Sequence, residues 1–146
     1  MCTATALTLP ETPILLARAT AASGDLERAV SLYKSAADRG DLRAMVSLAQ
    51  LAETGNGVPQ DFGAALELYE RAAAAGSIDG MINLAVILFQ GGLVAQDTER
   101  AISLLRQAAE LGSPKAIFNL GVLAQDGLTD TPADALDYFI DAARDG

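Results

Sequence analysis

Residues 41 to 146 write one pattern three times, and a repeat of this length leaves few folds open. Residues 41–76 and 77–112 hold 36 residues each, and 113–146 holds 34. The matches stay in register: Leu48, Leu84 and Leu120; Gly55, Gly91 and Gly127; Ala65, Ala101 and, after the last loop is shortened by two residues, Ala135. Each unit closes on two alanines and a glycine: Ala72-Ala73 to Gly76, Ala108-Ala109 to Gly112, Ala142-Ala143 to Gly146. A degenerate copy over residues 12–40 closes on Ala36-Ala37 and Gly40, and residues 1–11 stand outside the pattern. A fixed period of about 20–50 residues marks a stacked array, in which no unit buries its apolar face alone and neighbours share a core.

Each unit reads as two helices. In the second, Asp41 is a helix N-cap, and Ala44, Leu48, Leu51 and Ala52 then recur at helical spacing. The run Gly55-Asn56-Gly57-Val58-Pro59 ends that helix, because two glycines and a proline do not continue it cheaply. Asp61 caps a second helix whose inner face is Ala65, Leu68, Tyr69, Ala72 and Ala73, and Gly76 follows it where a left-handed residue is wanted. The other units use Thr12-Pro13 and Asp25, Ser77 and Asp97, and Ser113-Pro114 and Thr131-Pro132 as starts. Gly76 is followed at once by the Ser77 cap, and so short a link forces neighbouring helices antiparallel. The expected fold is all-α: a right-handed solenoid of about four helix-turn-helix repeats.

Composition narrows the chemistry. The net charge is −9, which argues against nucleic acid and against docking on an anionic membrane, since both need clustered Lys and Arg. No segment approaches the ~18–20 apolar residues of a membrane span. The chain has no histidine, and its one cysteine is Cys2. A zinc site, an intramolecular disulfide and the usual nucleophile–base pairs are therefore not expected, nor is catalysis or a bound cofactor. A cytoplasmic protein is the default expectation. Met1-Cys2 keeps open a lipoprotein or periplasmic alternative, in which a signal peptide was removed before Cys2.

These units resemble the Sel-1-like repeat, a relative of the tetratricopeptide repeat. Gly55-Asn56-Gly57-Val58-Pro59-Gln60-Asp61 matches the family's loop, and residues 65–73 match its second helix. Asn83-Leu84-Ala85 and Asn119-Leu120-Gly121 match the core of its first helix. The third loop, Gly91-Gly92-Leu93-Val94-Ala95-Gln96-Asp97, and the shortened fourth, Gly127-Leu128-Thr129-Asp130, depart from it. The resemblance implies a non-catalytic scaffold or adaptor that binds a partner protein, as a peptide or an amphipathic helix, in its concave groove. Two alternatives stay open: a dedicated inhibitor or immunity partner of one enzyme or toxin, and a self-assembling structural protein.

Three sets of residues are candidates for contact. Ile82, Val86 and Phe89 fall at helical spacing on a face that the resemblance places on the concave side, with Val46, Phe118 and Val122 continuing it in adjacent units. Asn83 and Asn119 precede the core leucines. Their amides are suited either to a bound peptide backbone or to tying adjacent first helices together, and the tie is the preferred expectation. Asp134, Asp137 and Asp141 form an acidic stripe near the end of the chain, either a docking site for a basic partner or a solvated face. Leu136 and Ile140 lie on the flank that a further repeat would cover, so they are expected to be exposed in a monomer or buried in an end-to-end homodimer.

Overall fold

The computed structural model describes residues 13–92, 94–128, 140 and 143–144, with side chains from residue 17. Among these residues there are seven helices and no strand. They are α1 (Pro13–Ala22), α2 (Leu26–Asp38), α3 (Leu42–Thr54), α4 (Phe62–Ala74), α5 (Ile78–Gln90), α6 (Thr98–Glu110) and α7 (Pro114–Gln125). The chain forms two compact units, Met1–Ala75 and Gly76–Gly146. In the first, α1 packs on α2, α2 on α3 and α3 on α4; in the second, α5 packs on α6 and α6 on α7.

The helix starts follow from side chains that satisfy otherwise orphaned amides. The Asp41 carboxylate accepts from the backbone amides of Arg43 and Ala44 at 3.0 and 3.1 Å. Asp25, Asp61 and Asp97 cap α2, α4 and α6 in the same way, and Ser77 and Ser113 cap α5 and α7 through their hydroxyls. Pro114 then occupies the first turn of α7, where its missing amide hydrogen is no loss. Between repeats the chain turns through Gly40, Gly76 and Gly112, at φ +89°, +93° and +88°.

Alanine lets these helices come close. Ala29, Ala44, Ala49, Ala65, Ala72, Ala101, Ala108 and Ala116 are at most 1% exposed. Larger side chains fill the layers between, with Tyr69, Leu84 and Leu120 the largest that are fully enclosed. On α3 the buried set is Ala44, Met45, Val46, Leu48, Ala49 and Ala52, wider than the face read from spacing, while Leu51 is only half-buried.

Two ties close the helical hairpins. The Gln60 side-chain amide donates to the Glu53 carbonyl at 2.9 Å, and the Gln96 amide donates to the Phe89 carbonyl at 2.8 Å. Both loops are sealed by a backbone bond as well, Asp61 to Ala52 and Asp97 to Leu88. In the first unit the Tyr69 hydroxyl on α4 donates to the Glu53 carboxylate on α3 at 2.9 Å. Burial, followed by the Glu53 hydrogen bond and charge, holds this phenol well above its ordinary range.

Candidate functional site

The second unit contains an open apolar hollow of about 220 Å³. Helix α5 supplies Ala85, Val86, Phe89 and Gln90; α6 supplies Leu105; α7 supplies Asn119, Val122 and Leu123. Helix α6 lies between α5 and α7 in sequence and packs on both. With α6 antiparallel to each of them, α5 and α7 run parallel and present the same register to the hollow. Val86 and Val122 occupy equivalent positions 36 residues apart, and they are 41% and 37% exposed. Apolar side chains left in water at this level are a standing free-energy reserve for association.

The hollow takes in three of the six apolar groove candidates: Val86, Phe89 and Val122. Phe118 does not line it but stands one turn before Val122 on α7 and is 53% exposed. Val46 and Ile82 are corrected out of the open surface. They are 7% and 2% exposed and belong to the core. The reason is visible on α5, which is apolar almost all round and buries Gly80, Met81, Ile82, Leu84, Ala85 and Leu88. Ile82 lies about 40° around the helix from Val86, on the side toward buried Ala85, so the stripe read from spacing straddles the edge of the core.

Asn119 lines the hollow, and Asn83 sits one turn before Val86 on α5. Both are half-buried. The expected tie between first helices is not formed: among the described residues neither amide side chain has a hydrogen-bond partner. Asp134, Asp137, Asp141 and Leu136 lie outside the described residues, whereas Ile140 is helical and 44% exposed.

Leu105 and Gln90 are site residues that the spacing argument missed. Leu105 holds the register that Tyr69 holds one repeat earlier, and Phe89 holds that of Glu53. The second repeat fills this place with a hydrogen-bonded Tyr–Glu pair, and the third replaces it with Leu and Phe. That exchange makes the wall of the hollow apolar. A second hollow of about 340 Å³ lies in the first unit beside the Val58-Pro59-Gln60-Asp61 turn. It is lined by Lys34 as well as by Leu48 and Leu68, and its Asp61 and Gln60 are engaged in capping and loop closure.

The architecture is that of an all-α protein built from helical hairpins in repeat. The Sel1 repeat family model matches residues 20–41, 42–77, 78–113 and 114–146, and the chain belongs to that family. Comparison with curated proteins gives no match. Among solved structures, the chain is similar to a Sel1 repeat protein from Oxalobacter formigenes, at 24% identity and a TM-score of 0.81, over 92% of this chain and 54% of that one. It is also similar to a protective antigen of uropathogenic Escherichia coli with the SLR fold, at 22% identity and 0.81, over 98% of this chain and 32% of that one. A third likeness is an immunity protein of Pseudomonas aeruginosa, at 26% identity and 0.67, over 92% and 54%. The chain thus spans about half the length, or less, of these solved relatives. Sel1 repeats typically mediate protein–protein interaction. No helix among the described residues is long and apolar enough to cross a membrane.

Proposed function

We propose that this chain is a non-catalytic protein-interaction module and that the hollow between α5 and α7 is its docking surface for a peptide or helix of a partner. The observation that carries the reading is the pairing of Val86 and Val122. They are exposed at equivalent registers on two parallel helices, over an apolar wall of Phe89, Leu105 and Leu123. A partner side chain placed there removes apolar area from water at about 25 cal/mol per Å². The family's association with protein binding supports it independently.

The test is capture of the partner from a lysate by the intact chain and by variants. Val86→Asp and Val122→Asp each put a carboxylate into the apolar contact, so each should weaken capture at least about tenfold. Helical content should stay at the wild-type level, because both positions are on the helix surface. Ser103→Asp, on the exposed side of α6, should leave capture unchanged. Equal capture by all three variants would refute the assignment.

A second reading is a dedicated inhibitor or immunity partner of a single enzyme or toxin. The likeness to the Pseudomonas aeruginosa immunity protein favours it, as does the net charge of −9, which steers a basic target. Its mark would be one partner, captured at the same ratio from every preparation. Self-association through the C-terminal end of the chain would use Ile140, which is exposed.

A further inference from the structure

The hollow in the first unit differs from the one between α5 and α7 in carrying an unpaired charge. Its floor is the buried pair Leu48 and Ala52 on α3, and Val58, Pro59, Ala64 and Leu68 stand around it. Lys34 on α2 reaches the same space from an exposed position. Among the described residues the Lys34 ammonium has no hydrogen bond and no ion pair, not even with Asp38 one turn further along α2. One repeat further on, the registers of Lys34 and Ala64 hold Glu70 and Arg100, an acid and a base. Here the base is matched by an alanine, which brings no countercharge and leaves room.

The other polar side chains of the hollow are already engaged. The Gln60 amide donates to the Glu53 carbonyl at 2.9 Å, and the Asp61 carboxylate accepts from the Ala64 amide at 3.0 Å, at the positive end of α4. One unpaired cation beside apolar walls therefore sets the form of the ligand: an anionic group at the mouth and an apolar body within. A peptide does not have that form. Its backbone amides would lose water against Leu48 and Leu68 and find no partner there. A cavity of about 150 Å³ holds a benzene ring, so this hollow, at about 340 Å³, takes an alkyl chain of about eight carbons.

We infer that the first unit's hollow is a binding site for a small aliphatic monocarboxylate, whose carboxylate pairs with Lys34 and whose chain lies on Leu48, Val58 and Leu68. The site is separate from the docking surface above and does not depend on it.

The probe is octanoate below its micelle concentration, added to the isotope-labelled full chain and followed through the amide shifts in NMR spectra. Saturable shifts are expected at Leu48, Val58, Ala64 and Leu68, with little change at Val86 and Val122. Each methylene removed from the probe should weaken binding about two- to fourfold. Lys34→Ala should weaken it about two- to fivefold, the range of an ion pair screened by water. Lys34→Glu should turn the preference from octanoate to octylammonium. Lys34 is exposed, so both variants should unfold at the wild-type midpoint. Ala64→Glu places an acid in the first turn of α4, where it suits the helix, supplies the missing countercharge and fills the hollow. It should weaken octanoate binding at least about tenfold with the fold intact.

Shifts that do not saturate, or that centre on Val86 and Val122, overturn the inference. So does octanol binding as tightly as octanoate while both Lys34 variants have no effect. An acetylated tripeptide ending in a leucine with a free carboxyl group is the contrasting ligand. If it binds the same residues more tightly than octanoate, the site is one for a protein C-terminus and the free acid is wrong.

Discussion

Removing one oxygen from Tyr69 tests whether the polar link between α3 and α4 stabilises the first unit. The Tyr69 ring is 1% exposed, and its hydroxyl donates to the half-buried Glu53 carboxylate at 2.9 Å. A hydrogen bond to a charged acceptor contributes about 1.5–3 kcal/mol, and the water still open to Glu53 reduces what is lost. Tyr69→Phe should therefore destabilise by about 1–2 kcal/mol. Glu53→Ala should lower stability by about 1–3 kcal/mol, because it leaves a phenol buried without an acceptor. The two losses should not add, and the double variant should recover about 1 kcal/mol of coupling. Urea unfolding at neutral pH, followed by circular dichroism, gives all four corners of this cycle. A loss under about 0.3 kcal/mol for Tyr69→Phe, or strict additivity, would refute the link. The raised phenol fixes the sign with pH. The folded form keeps its proton where the unfolded form, at about pH 10, gives it up. Wild-type stability should therefore be constant in this respect below about pH 10 and fall above it, and Tyr69→Phe should flatten that fall.

Two further substitutions probe the frame that holds the site. Leu84 is 1% exposed in the middle of α5, so Leu84→Ala should cost about 2–5 kcal/mol in the same urea assay, and a shift under about 0.5 kcal/mol would place the core face elsewhere. Gly57 has φ +75°, and a Cβ there would sit 2.9 Å from the Leu26 Cβ. Gly57→Ala should therefore lower the unfolding free energy by more than about 1 kcal/mol, whereas Gly76→Ala, at φ +93° in open space, should show the backbone penalty alone.

The frame was legible in the residues because it repeats. Asp25, Asp41, Asp61, Ser77, Asp97 and Ser113 all act as the caps their spacing implied. The site was legible only in part, since a helical wheel shows which residues share a face but not how far the neighbouring helices reach around it. Val46, Ile82 and Phe118 share one register and one apolar character, yet the first two are buried and the third is 53% exposed. The Tyr69–Glu53 bond left no trace in the repeat, because the next unit has Leu105 and Phe89 in those places. Gln60 and Gln96 did leave one, as glutamines standing just before the Asp caps in two loops. Reading it would have required asking what satisfies the last carbonyls of the helix before the loop.

Site-specific photo-cross-linking tests the central claim most directly. Benzoylphenylalanine is placed in turn at Val86, Val122 and Ser103 of the intact chain, and the cross-linked partner is identified by mass spectrometry. The account predicts the same partner, attached through one short stretch of its sequence, from Val86 and Val122, and no adduct from Ser103. Cross-linking from Ser103 with none from Val86 or Val122 would contradict it, and would move the working surface off the hollow between α5 and α7.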